Sequence, residues 1–363
     1  MRQLFKSAVL CSLILGATYS TAAEVRVYGL IDLSLAYEDG KNAKPTLTMK
    51  PNTQSGSRFG IYAEEKLSAD TYVFTTLEAQ IQPDTGSIQS FHGKDDDFFG
   101  RQAFVGIHNN TYGEIMFGRL YAGTAAAGRH QTLAATDAFK CGYGDDSTLS
   151  VSGQQNTHRL NNAIQYTTPT FAGWSAVGTF SFSKYEKDEA DEFSDNNRFV
   201  DLAISHKGAK SYFMVGFNKT ILGENTTKTA WNHPTMNFVV GGNYDFDTVK
   251  VFGQYRYTKH GGMAGYTFTD FKDWETNSVA LGVQVPMYGG RFMASTQYMK
   301  AESQESADAG EYEKYTAGIG YQYFLSKKTD VYVIASYATA NGCAKESSTE
   351  NRTRFVAGLR HIF

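Results

Sequence analysis

Apolar and polar residues alternate in runs of about ten from Val25 to Phe363, and the connections between runs are by turns short and long. The first run, VRVYGLIDLSLAY, puts Val25, Val27, Gly29, Ile31, Leu33, Leu35 and Tyr37 on one side. Arg26, Tyr28, Leu30, Asp32, Ser34 and Ala36 fall on the other. A period of two is that of a β-strand, whose successive side chains point to opposite faces. Short connections are expected at 67–70, 109–113, 170–173, 206–210, 245–248, 287–290 and 325–329. Long ones are expected at 39–54, 83–97, 120–156, 184–197, 222–232, 261–272, 302–311 and 341–351, so sixteen strands result. The last of them, TRFVAGLRHIF, runs to the final residue, and a strand there exposes an unpaired edge unless something pairs with it.

A soluble sandwich buries its apolar faces against each other and has no reason to sort its loops by length. Here the apolar face would cover the whole outside of a large sheet, which suits lipid. The other face carries Arg58, Glu64, Glu78, Gln80, Gln165, Gln254, Arg256 and Gln284, which suits water. The pattern therefore predicts an all-β fold, a transmembrane antiparallel β-barrel of about 16 strands in an outer membrane. Aromatic residues near strand ends (Tyr37, Tyr166, Phe171, Trp174, Tyr244, Tyr255, Tyr257, Tyr288, Tyr323 and Phe324) would form the two interfacial girdles. A barrel of this size is too wide for side chains to fill, so a water-filled channel for small hydrophilic solutes and ions is expected.

Residues 1–23 have the form of a secretory leader, with Arg2 and Lys6, an apolar stretch over 8–17, then Ser20, Thr21, Ala22 and Ala23. The remaining 24–363 form one barrel domain, and no run in it is long and apolar enough for a membrane helix. Loss of the leader moves the formal charge from -3 to -5, which argues against a nucleic-acid partner. Two cysteines stay, Cys141 and Cys343, and export to an oxidising compartment permits a disulfide without deciding it.

The connection over 120–156 is by far the longest, and loops of that length usually carry function. Small residues and three carboxylates, Asp137, Asp145 and Asp146, suit a segment folded inward to constrict the lumen. Arg58 shares parity with Gly60, Tyr62 and Glu64, and Arg159 with Asn161, Ala163 and Gln165, so both are assigned to the lumen. Arg101 shares parity with the apolar Ala103, Val105 and Ile107, and a bulge or nearby turn is needed to bring it inward. Arginines facing aspartates across a narrow gap would set up a transverse field that sorts ions.

Neither G-x-S-x-G nor H-E-x-x-H occurs and the histidines are scattered, so no enzyme is expected. The run Lys94 to Asp97 reads as a solvated charge cluster, and no metal or cofactor is expected. A substrate-selective channel would need an aromatic track; Tyr28, Tyr62 and Tyr72 share the lumen side but make no clear track. A surface adhesin or structural barrel with little conductance is the other open reading.

The stretches VRVYGLIDLSLAY, SGSRFGIYAEEKLSADTYVFTTLEAQIQPDTG, FFGRQAFVGIH, YGEIMFGRLYAG, RLNNAIQYTTPTFAGW, YFLSKKTDVYVIASY and RTRFVAGLRHIF resemble, in order, the general diffusion porins of Gram-negative outer membranes. The resemblance implies a homotrimer of sixteen-stranded barrels surrounded by outer-membrane lipid and lipopolysaccharide. It implies that the third long loop folds into each lumen and that the second latches onto a neighbouring subunit. By position, Arg58, Arg101 and Arg159 match the family's basic cluster at the constriction, and the acidic counterparts belong to the third loop. Which of Asp137, Asp145 and Asp146 faces the gap stays open, because this loop departs from the family pattern. A Cys141–Cys343 link would tie two external loops together. Phe363 matches the terminal aromatic that the outer-membrane β-barrel assembly machinery reads.

Overall fold

The computed structural model describes residues 23–41, 43–89, 98–140, 159–184, 195–223, 234–261, 273–303, 311–342 and 351–363. The leader, Lys94 to Asp97, Cys141, Asp145, Asp146 and Cys343 lie outside them, apart from Ala23 at the leader's end. The described strands are β1 (Glu24–Gly40), β2 (Ala43–Pro51), β3 (Arg58–Lys66), β4 (Thr71–Gln82), β5 (Ser87–Ile88), β6 (Gln102–Asn109) and β7 (Gly113–Tyr121). They continue with β8 (Arg159–Thr167), β9 (Trp174–Ser181), β10 (Arg198–Lys207), β11 (Ser211–Ile221), β12 (Met236–Asp245) and β13 (Lys250–Gly261). The series ends with β14 (Trp274–Met287), β15 (Gly290–Ser303), β16 (Glu311–Phe324), β17 (Thr329–Gly342) and β18 (Arg352–Ile362).

All pair antiparallel, and β1 meets β18 from Leu30 opposite Ile362 to Asp39 opposite Thr353. At the seam, Gly29 donates its N–H to the Phe363 carbonyl at 3.3 Å and Phe363 returns one to Gly29 at 3.0 Å. Closure answers the edge problem, because every stave then has two neighbours. β2 and β3 lie along different halves of β1 as two parts of one stave, and β5 is a two-residue pairing on the end of β4. The eighteen segments thus make a closed sixteen-strand antiparallel barrel.

The seven short turns fall where the alternation places them. The first long connection differs. β1 runs to Gly40 and β2 starts at Ala43, so the hairpin is tight and the break comes later, at 52–57. Asp32 holds that break: its Oδ2 accepts the Gln54 and Ser55 N–H groups at 2.6 Å each, and its Oδ1 accepts the Tyr332 hydroxyl at 2.6 Å. The Ser57 hydroxyl also accepts the Asp32 N–H at 3.0 Å. An interior carboxylate thereby satisfies backbone donors that a regular ladder would have paired.

Val25, Val27, Leu35, Leu281, Ile319, Val333 and Phe355 all point outward and are exposed. Apolar surface on this scale would cost roughly 25 cal/mol per Å² in water, so lipid must cover it. Tyr166, Phe171, Trp174, Tyr244, Tyr288 and Tyr323 are exposed beside the short turns, where an interfacial girdle belongs. His361 is on this face near the same rim, with Nδ1 2.9 Å from the Thr329 hydroxyl. Among lumen-facing residues, Gln165, Gln254 and Gln284 are buried because further protein covers them from inside, whereas Glu78 and Gln80 are buried among arginine side chains.

Candidate functional site

That covering protein is the segment after β7. Its described part, 122–140, follows the inner wall and touches one strand after another. The Thr124 hydroxyl donates to Asp201 of β10 and accepts from Asn218 Nδ2 of β11 at 3.1 Å. Asn243 of β12 donates to the Ala135 carbonyl at 2.6 Å, and the Thr136 hydroxyl donates to Gln254 Oε1 of β13 at 3.3 Å. Gln284 of β14 donates to the Ala138 carbonyl at 2.6 Å. Each such bond contributes about 1 kcal/mol net and spares the loop's backbone the cost of burial without partners.

Apolar contacts reinforce the track. Leu133 packs with Ala203, Met214 and Val239. Phe139 is wholly buried in a cluster with Phe252, Met293, Tyr332, Ile334 and Val356. The wall also gives way: a Cβ on Gly216 would stand 2.6 Å from Thr124 Cγ2, and one on Gly282 would stand 2.8 Å from the Ala138 Cβ. Only glycine admits the loop at those two places.

Away from this track three guanidinium groups converge on the stretch of wall formed by β3, β4, β6 and β8. Arg58 opens β3 and donates through Nε to the Gly56 carbonyl at 2.9 Å. Arg159 opens β8, where its Nε donates to the Tyr121 hydroxyl at 2.9 Å and its Nη2 reaches Gln80 Oε1 at 3.4 Å. Arg101 lies in the bend just ahead of β6, outside the ladder, which is how it turns inward despite its parity. It donates to Glu78 Oε1 and to Gln80 Oε1, each at 2.6 Å. Arg101 and Glu78 are almost fully buried, while Glu78 Oε2 accepts from Tyr28 at 3.0 Å. Arg101 therefore serves as a neutralised pivot, and Arg58 and Arg159 flank it.

The structure thus brings together the three arginines singled out from sequence and adds Tyr121, which the sequence reading missed. The Tyr121 ring lies 5.8 Å from the Arg101 guanidinium and 5.2 Å from that of Arg159. Its position at the end of β7, just past a register shift between Gly118 and Leu120, hid which way it points. Asp137, one of the three loop carboxylates among which the gap-facing one stayed open, is buried. Its Oδ1 accepts the Phe139 N–H at 2.6 Å and its Oδ2 accepts from Gln254 at 3.3 Å, so it closes a turn of the loop against the far wall. Tyr62 and Tyr72 flank Phe74, with centroids 6.3 and 5.7 Å from its ring, and Arg129 lies 4.6 Å over that ring. Tyr28 is committed to Glu78, so the three tyrosines form no single track.

A closed barrel with an apolar outside, a polar lumen and a loop laid along its inner wall is a membrane channel of the outer-membrane type. The chain belongs to the Gram-negative porin family, whose pattern matches residues 7–342. An outer membrane porin protein of Bordetella pertussis is 26% identical over 402 residues, covering 99% of this chain and all of the relative. An anion-selective porin from Comamonas acidovorans superposes with a TM-score of 0.68 at 23% identity, over 94% of this chain and all of that one. The trimer form of an outer membrane protein of Vibrio cholerae superposes with a TM-score of 0.62 at 13% identity, again over 94% and 100%. The protein is accordingly an outer-membrane porin, a water-filled channel for passive diffusion, and family and fold point to transport rather than catalysis.

Proposed function

We propose that this porin works as a homotrimer and passes small hydrophilic solutes with a preference for anions. Arg58, Arg101 and Arg159 would form the basic side of its narrowest gap. The convergence of three guanidinium groups on one stretch of lumen wall carries this reading, since an excess of one charge sign is how a pore favours the opposite ion. Glu78 neutralises Arg101 and leaves the excess charge to Arg58 and Arg159. The similarity to an anion-selective porin and to a trimeric relative supports it. In the same reading Asp145 and Asp146 supply the acidic side from the part of the loop outside the described residues. Cys141 and Cys343 are the pair whose oxidation would tie two loops, and Phe363 addresses the chain to the assembly machinery. Lipid and lipopolysaccharide cover the outer face, and the leader at 1–23 is removed on export.

Liposome swelling tests the solute preference. Proteoliposomes should admit a sugar acid faster than the neutral sugar of the same size. Equal rates, or faster entry of the neutral sugar, would remove the anion preference and leave the channel.

A further inference from the structure

The basic wall does not end at Arg58. The break at 52–57 links it to a second group of cations on the other side of β1. Gly56 accepts from Arg58, and the neighbouring Ser55 hydroxyl accepts from Arg360 Nη1 at 3.1 Å. Arg360 grips Asp330 with Nε at 2.9 Å and Nη2 at 2.7 Å, and Gln322 Nε2 donates to the other Asp330 oxygen at 2.8 Å. Arg291 then donates to Gln322 Oε1 and, at 3.5 Å, to Gln284 Oε1. Gln284 in turn holds the Ala138 carbonyl, two residues before Lys140.

The balance of charge in this second group is uneven. Arg360 has Asp330, but among the described residues Arg291 is bonded only to amide oxygens, and its buried Nε–H has no acceptor. Lys140 is exposed at the end of the described loop, and no described acceptor bonds its ammonium. Burial, and then the charges of Arg291 and Arg360, hold that ammonium below the usual lysine range, while Asp330 acts the other way. The other nearby carboxylate, Asp32, is saturated by Tyr332 and two backbone N–H groups.

We propose that Lys140, Arg291 and Arg360 form a second anion station, distinct from the arginine cluster of β3, β6 and β8, that holds a phosphate-sized oxyanion on its way through the lumen. The station rests on the channel reading and deepens it. Asp330 fixes Arg360, and the amides of Gln284 and Gln322 fix Arg291, so two donors are pre-set in place. Lys140 then supplies the movable charge. Together with Arg58, Arg101 and Arg159 the station makes a basic arc along the wall from β8 across β1 to β15.

The test is chloride conductance of the full-length protein in planar bilayers, titrated with inorganic phosphate. Wild-type conductance should fall saturably as phosphate occupies the station. Lys140→Glu should raise the half-effect concentration by about tenfold or more, the loss of one charge-assisted contact. Among the described residues Lys140 bonds no partner, so this variant should fold; Arg291→Gln should shift the titration in the same direction. Wild-type conductance indifferent to phosphate, or an unchanged half-effect concentration in both variants, would overturn the station. Zero-current potentials without phosphate keep the two readings apart. Anion preference that depends on Arg58 but coexists with no phosphate effect would refute the station alone, and an absence of channels would refute both.

Discussion

The lumen wall from β10 to β14 and the wall from β15 through β1 to β8 are built of the same alternating strands and divide the work. The first bonds the loop and the second carries the arginines, although the loop's Phe139 also packs on Met293, Tyr332, Ile334 and Val356 of the second. The first is covered: Asp201, Asn218, Asn243, Gln254 and Gln284 spend their hydrogen bonds on the loop, and glycine replaces larger side chains where the loop approaches. The second keeps Arg58, Arg159, Arg291 and Arg360 along one arc. A loop bonded mainly along β10 to β14 narrows the lumen and also decides which wall the solute meets. Asymmetry of the field is thus a consequence of where the loop binds.

The comparison can be broken from either side. Glu78→Gln on the arginine wall should have the largest cost, about 3–5 kcal/mol, because it leaves buried Arg101 without its carboxylate. A lowered thermal transition by circular dichroism checks it, and wild-type stability would mean water already screens the pair. Phe139→Ala in the loop should release it from its seat at a cost of about 3 kcal/mol. Single-channel recordings should show a larger and noisier open level. Gly282→Val sharpens the same point at about 1–3 kcal/mol, because the added carbons meet Ala138 and the Ala294 carbonyl. Its conductance should move in the same direction as that of Phe139→Ala. Outside both walls, Lys210→Ala breaks an exposed pair with Asp247 at a short turn and should change stability by less than about 1 kcal/mol, with conductance unaltered.

Strand number, the seven turns and the outward face follow from alternation, since a period of two leaves only one face for lipid at each position. Arg58 and Arg159 were legible for the same reason. The loop's seat was not, because Met214, Val239, Phe252, Met293, Ile334 and Val356, spread from β11 to β18, are apolar residues on the lumen face and look like lapses in the pattern. They are the seats of Leu133 and Phe139, and only the loop's path explains them. Asp137 misled for a related reason: an aspartate in a small-residue loop can as well accept its own backbone N–H as face a channel. Arg101 resisted because it lies ahead of its strand, where parity has no meaning. The break at 52–57 was invisible because its stabiliser, Asp32, is on a different strand.

The central claim is that the arginine wall sets the charge preference of the channel, and the zero-current potential across a potassium chloride gradient tests it most directly. The wild-type protein should show the sign of a chloride-preferring channel, and the double variant Arg58→Glu, Arg159→Glu should reverse that sign while still assembling. A wild-type potential of the potassium-preferring sign, or one that the double variant leaves unchanged, would contradict the account.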